Sequence, residues 1–334
     1  MNKKVSLYDI LWYMGGLLLF GFTSLIYMII VTRVVGIEAG GKFTFAYAVA
    51  CTFFAVGVYF GKSFQITDKS NRYSDTDYIY NRITTCLVMI LLTLIFCLFR
   101  KYNLEKILLI ILLTIYRGAD AFVDSIHAVI QKKDRVYKVG MSIFFRTILL
   151  VASFTVSLIL FKNILLSSLV IMLINVLYFI VVDYRIAKKN IVSSKFDNSK
   201  NLLLLIEGFT AFLFYFLAIY VNNASKYAID SLSTETIQGI FGIIYMPSSF
   251  VSLVSLYIVQ PFLGNITELL KNKQIKDLNK LLLKLTFIVS IIGLLVFLSI
   301  VATSLSKSVN PSLQFTTKIT TFARSIARLT CSLI

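Results

Sequence analysis

Arg117, Asp120, Asp124 and His127 follow one another at offsets of 3, 4 and 3. On a helix that spacing puts all four along one face. A guanidinium, two carboxylates and an imidazole in a row can grip an anion, pair among themselves or pass a proton. They lie in an apolar stretch, residues 104–127, where each charge costs several kcal/mol unless it meets a partner or a wet cavity. Arg146 stands in the next apolar stretch. Folding the two stretches into a hairpin about residues 134–135 brings Asp124 level with Arg146 and leaves Arg117 with Asp120. Such charges either staple two helices or line a polar cavity that binds an anionic group, and both can hold at once.

A second cluster comprises Asn222, Lys226 and Asp230 at i, i+4 and i+8, with Tyr215 and Asn223 nearby. Lys226 stands close enough to the end of its stretch to snorkel into the interface. Glu207, near the other end of the same stretch, is a candidate proton or cation site. Pro247 interrupts the following stretch and is a candidate hinge, because a proline frees a carbonyl and bends a helix. Cys51, Cys86, Cys97 and Cys331 lack metal-ligand spacing, and His127 is the single histidine. No metal, cofactor or catalytic constellation is therefore expected, and the chain does not read as an enzyme. Gly61-Lys62-Ser63 lacks the first glycine of a phosphate-binding loop, since position 56 is Val56. Gly57 and Gly61 instead give a G-x-x-x-G contact face. Asp75-Thr76-Asp77 has the D-x-D form of metal-dependent glycosyltransferases, with no nucleotide-sugar fold around it.

These residues must be positioned by apolar segments. The chain has 334 residues, of which 58% are hydrophobic and only 15% charged, which excludes disorder and argues against a water-soluble enzyme. Nine segments are near the length that crosses a hydrocarbon core of roughly 30 Å. They fall at 7–31, 43–61, 83–99, 104–127, 140–161, 164–182, 202–225, 239–260 and 281–304. With the N-terminus cytoplasmic, the inner loops hold 19 Lys and Arg and the outer ones seven, as the positive-inside rule requires. The net charge of +17 is dispersed over these loops, so nucleic acid is not the expected partner.

The expected fold is an all-α polytopic membrane protein of the cell (inner) membrane. Residues 1–182 would form a six-helix bundle, 183–201 a cytoplasmic linker and 202–304 three helices of a second bundle. Gly41-Lys42-Phe43 and Gly239-Ile240-Phe241 each open a span after one that ends in a cation, a faint parallel repeat. The basic, Ser/Thr-rich tail at 305–334 breaks the charge alternation and suggests truncation or a frameshift near residues 304–310, or else a surface-lying segment.

The run ending Arg33-x-x-Gly36, followed by Gly41-x-Phe43-x-x-Ala46, resembles the start of Wzx-type polysaccharide-repeat flippases of the multidrug/oligosaccharidyl-lipid/polysaccharide exporter superfamily. Tyr116-Arg117-Gly118-Ala119-Asp120, Arg146, Asn222-x-x-x-Lys226, Pro247 and Gln260-Pro261 extend the resemblance over residues 1–304. It implies two helical bundles around a cationic cavity, in a multidrug-exporter-like fold, of which this sequence supplies one bundle and half of the other. The implied activity moves a polyprenyl-diphosphate-linked oligosaccharide to the outer leaflet for O-antigen, lipopolysaccharide, capsule or exopolysaccharide synthesis. Arg33, Arg117, Arg146, Asn222 and Lys226 would bind the head group. Asp120, Asp124 and Glu207 would couple transport to protons or cations, with a polysaccharide polymerase and chain-length proteins as partners. The rivals are an organic-cation exporter of the same superfamily, a membrane repeat-unit polymerase and a scaffolding role.

Overall fold

The computed structural model describes residues 7–59, 61–67, 72–132, 136–188, 191, 198–259, 266, 269–270 and 272–308. Among these residues the regular elements are all helical. They are α1 (Leu7–Val34), α2 (Ile37–Val58), α3 (Gly61–Thr67), α4 (Asp75–Phe99), α5 (Leu104–Lys132), α6 (Val136–Phe161) and α7 (Ile164–Tyr178). A π-helical turn (Phe179–Asp183) leads from α7 into α8 (Tyr184–Lys188), followed by α9 (Asn198–Leu232), α10 (Glu235–Val259) and α11 (Ile275–Ser308).

Among the described residues, eight helical stretches are long and apolar enough to cross a membrane. With no water to bond the backbone inside a bilayer, helices satisfy their own peptide groups. The protein is an all-α, multi-pass membrane protein. The eight differ from the nine expected spans at one place, α5. Its internal charges remove it from the apolar set, yet it is buried from Leu109 to Ile130. It can be charged because α2, α4 and α7 pack around it and take those groups away from lipid.

Two compact units divide the chain, Met1–Gly239 and Ile240–Ile334. In the first, α6 lies along α1. A side chain on Gly16 would strike the Gly140 carbonyl, and one on Gly140 would strike the backbone of Trp12 and Tyr13. Small residues let two spans approach where no hydrophobic force drives them together. Beside this contact Tyr27, Phe43 and Phe154 form the aromatic centre, with Tyr27 and Phe154 4.6 Å apart by ring centroid. By contrast α5 meets α6 only lightly. The expected turn at residues 134–135 lies outside the described residues.

Short connections at 35–36, 100–103, 162–163 and 233–234 mark one end of this unit, the turn end. The connections after α2, α5 and α8 mark the other, the loop end. At the loop end, Ser74 caps α4 in a capping box with Asp77, and Asp75 accepts from Lys132 at 3.2 Å. The D-x-D residues thus start a helix and tie α4 to α5. Arg82, buried, donates to the carbonyls of Gly57 (2.7 Å) and Val58, the last turn of α2. Its charge satisfies acceptors that the helix end leaves open.

α9 joins this first unit through polar contacts. Asn201 bonds Asn81 at 2.7 Å, Tyr59 donates to the Leu205 carbonyl at 2.8 Å, and Tyr227 donates to Thr52 at 2.6 Å. At the turn end, a side chain on Gly41 would meet the Glu235 carbonyl and the Gly239 amide. One on Gly239 would meet the Ile37 carbonyl. Gly41 and Gly239 therefore face each other, each glycine seated on the other helix's first turn.

In the second unit α10 continues through Pro247 as helix. The proline's missing hydrogen bond is carried within a regular element, and any hinge use of it is a matter of motion. Gly293 of α11 approaches Val251 of α10. Gln260 and Pro261 lie outside the described residues, as does the tail at 309–334.

Candidate functional site

Asp120 is the hub of the first unit. Its Oδ2 accepts from Arg117 Nη1 at 2.7 Å, and its Oδ1 faces Arg146 Nη2 at 3.4 Å and Asn175 Nδ2 at 3.1 Å. Three elements meet here: α5 supplies Arg117 and Asp120 three residues apart, α6 supplies Arg146 and α7 supplies Asn175. Asn175 also donates to the Tyr116 carbonyl at 3.0 Å, which fixes its amide. Arg117 is 8% exposed, Asp120 4% and Arg146 3%. The Arg117 guanidinium lies 4.1 Å from the Phe54 ring centroid and also approaches Phe20, a cation–π arrangement that offsets part of its desolvation.

Sequence spacing predicted Arg117 beside Asp120, and that pair forms. It also placed Arg146 with Asp124. The ion-pair partner of Arg146 is instead Asp120, because α6 packs along α1 and presents Arg146 one turn away from the hairpin level. Asp124 accepts the backbone N–H of Lys62 at 2.8 Å, bonding the start of α3. It still belongs to the same site. Asp120, Asp124, His127, Arg146 and Lys62 line a cavity of about 80 Å³ together with Phe20 and Phe54.

His127 meets Asp183 at 2.8 Å, and Ser142 donates to the same carboxylate oxygen at 2.5 Å. Asp183 is wholly buried. It ends the π-helical turn, and the extra residue per turn swings it into the bundle rather than onward into the linker. The sequence reading set the edge of the span at residue 182 and so missed it. A lone aspartate at the end of an apolar run, with a buried histidine needing a partner, was the available signal.

Counted together, Lys62, Arg82, Arg117 and Arg146 sit among Asp120, Asp124 and Asp183. The surplus of positive charge is small. Among the described residues, Arg117 Nε, Arg146 Nε and Arg146 Nη1 are buried with no hydrogen-bond partner. Buried guanidinium N–H groups left open favour an acceptor-rich ligand.

No protein-family model, curated protein or solved structure matches this chain. The site is therefore read from its own chemistry.

The remaining expected residues lie elsewhere. Arg33 is exposed in the last turn of α1. Asn222 is exposed on α9, whereas its neighbour Asn223 is buried, accepts from Lys226 at 3.0 Å and donates to Thr52 at 3.3 Å. Glu207 pairs with Arg72 at 2.7 Å and accepts from Tyr73 at 3.0 Å, tying α9 to the loop before α4. Asp230 accepts from Lys106 and from Tyr102, each at 2.5 Å, and Arg100 lies 3.6 Å away. Burial, then the bond to Asp230, hold the Tyr102 phenol above its ordinary pKa. Glu235 joins Lys106 (3.6 Å) and Lys42 (3.3 Å), so an ionic chain runs along the turn end beside the two glycines.

Proposed function

We propose that this protein is a flippase that carries a polyprenyl-diphosphate-linked oligosaccharide from the cytoplasmic to the outer leaflet of the cell membrane, for O-antigen, capsule or exopolysaccharide synthesis. The observation that carries this reading is the buried Arg117–Asp120–Arg146 cluster with its open guanidinium N–H groups, of which Asp120 and Arg146 line a small cavity together with Lys62, Asp124 and His127. A diphosphate-sugar head cannot cross hydrocarbon unaided, and guanidinium groups match phosphate in charge and geometry. The lipid tail remains in the bilayer while the head exchanges its water for these donors.

A cavity of about 80 Å³ holds an ion or a few waters, and a sugar head enters only once helices part. With the N-terminus cytoplasmic, the turn end is outer, and the Gly41–Gly239 contact with its ionic chain would be the closed outer gate. Asp120, Asp124 and the His127–Asp183 pair are the groups through which a proton or cation gradient would act. The carboxylates also support a second reading, an organic-cation exporter, because they nearly balance the cations.

The test is genetic and chemical. Deleting the gene is expected to leave lipid-linked repeat units on the cytoplasmic leaflet, and the wild-type chain to clear them. Arg117→Ala and Arg146→Ala, at equal protein level, are expected not to. Full clearance by both variants overturns the reading, and drug sensitivity with normal surface glycan favours the exporter.

A further inference from the structure

A second cavity of the first unit, about 510 Å³, opens between α2, α4 and α9, and neither Asp120 nor its partners line it. Its walls are Phe53, Phe96, Phe216, Tyr220 and Tyr227, with Arg100 at its turn-end rim. From Phe216 to Ser231 the α9 wall runs sixteen residues, roughly 22 Å at helical rise, well over half the hydrocarbon thickness. Along that wall the rings stack: Phe216 on Tyr220 at 6.4 Å and Tyr220 on Tyr227 at 5.6 Å.

The shape and chemistry select a chain rather than a head group. The Thr52 hydroxyl is already engaged by Tyr227 and Asn223, so the deep walls offer sugar hydroxyls almost nothing. A polar head there would lose its water without replacement. The rim is different. Arg100 keeps a third of its side chain exposed while donating to the Ser231 hydroxyl at 2.5 Å and to the Tyr102 hydroxyl at 3.2 Å, and the carboxylate nearest to it, Asp230, is held more closely by Lys106. Lys101 follows it, exposed. Arg100, Lys101 and Lys106 are three of the seven basic residues assigned to outer loops, a concentration where the positive-inside rule expects few.

We infer that this groove holds the isoprenoid tail of a polyprenyl phosphate, its flat alkene units against the stacked rings and its phosphate at Arg100. The inference rests on the flippase reading and deepens it: a substrate whose head moves through the bundle would keep its tail seated beside the bundle. The binding involves no bond making, only exchange of bulk lipid for a fitted chain.

The experiment uses the full-length protein in nanodiscs and a diazirine-bearing polyprenyl phosphate, with labelled peptides read by mass spectrometry. Labelling is expected on 216–231 and 96–100, competed by unlabelled undecaprenyl phosphate and not by phosphatidylglycerol. Ala224→Trp, which fills the groove, is expected to lower labelling about tenfold. Arg100→Gln is expected to weaken competition by the phosphate but not by the matching polyprenol. Equal competition by phosphatidylglycerol, or labelling spread evenly over lipid-facing helices, overturns the inference by making the groove an ordinary lipid slot. The wild-type competition decides this even where Ala224→Trp fails to fold. Specific labelling with no lipid-linked intermediate in the deletion strain keeps the groove and removes the flippase reading. Accumulated intermediate with even labelling does the reverse.

Discussion

At the scale of single residues, the site depends on one carboxylate serving two arginines. Asp120→Ala would strand Arg117 and Arg146 in a buried setting, and removing one member of a buried pair costs about 3–5 kcal/mol. Thermal unfolding in detergent should register it as a large loss. Arg146→Met is expected to cost less, because Asp120 keeps Arg117 and Asn175, while transport is lost. Asp183→Ala should destabilise by about 1–3 kcal/mol, the cost of leaving His127 and Ser142 without their acceptor. Glu207→Gln is the contrasting case. Its ion pair with Arg72 is half in solvent, so transport and melting temperature should change little, at most about 1 kcal/mol. Wild-type transport in this variant would remove Glu207 from the candidate coupling groups. Of the cluster, the sequence showed Arg117, Asp120, Asp124 and His127 because they share a helix. The partners Asn175 and Asp183 were hidden because they are 55 and 56 positions away from the residues they bond.

At the scale of elements, the contact between the starts of α2 and α10 is the sharpest prediction. Gly41→Leu drives a side chain into the Glu235 carbonyl and Gly239→Leu into that of Ile37. Each overpacking is expected to cost about 1–3 kcal/mol and to separate these starts. In intact cells a cysteine at position 45, buried here, should then become reactive to an impermeant thiol reagent. Unchanged protection with full transport would remove the gate from the mechanism. The sequence held the two Gly-x-Phe starts as a repeat, but repetition does not say that the copies touch. Likewise α5, expected as a span at 104–127, is too charged to count among the eight apolar stretches, and only its neighbours make it tolerable.

At the scale of the whole molecule, the orientation follows from charge and can be checked without any knowledge of substrate. Reporter insertions after residues 70, 134 and 194 should be active only in the cytoplasm, and those after 101, 162 and 233 only outside. A reversed pattern would place the glycine contact at the inner end and invert the proposed cycle. Apolar lengths, loop spacing and charge bias belong to the chain itself, because a bilayer acts on each segment by its local composition; these determined the all-α, multi-pass character and picked out Arg117, Asp120 and Arg146 as charges within spans, though not Asp183 or Arg82. Which charge meets which was decided only by tertiary structure. Ion pairs form over a few ångströms across helices, and those distances depend on how α6 lies on α1 and how a π-helical turn aims Asp183, neither of which hydropathy encodes.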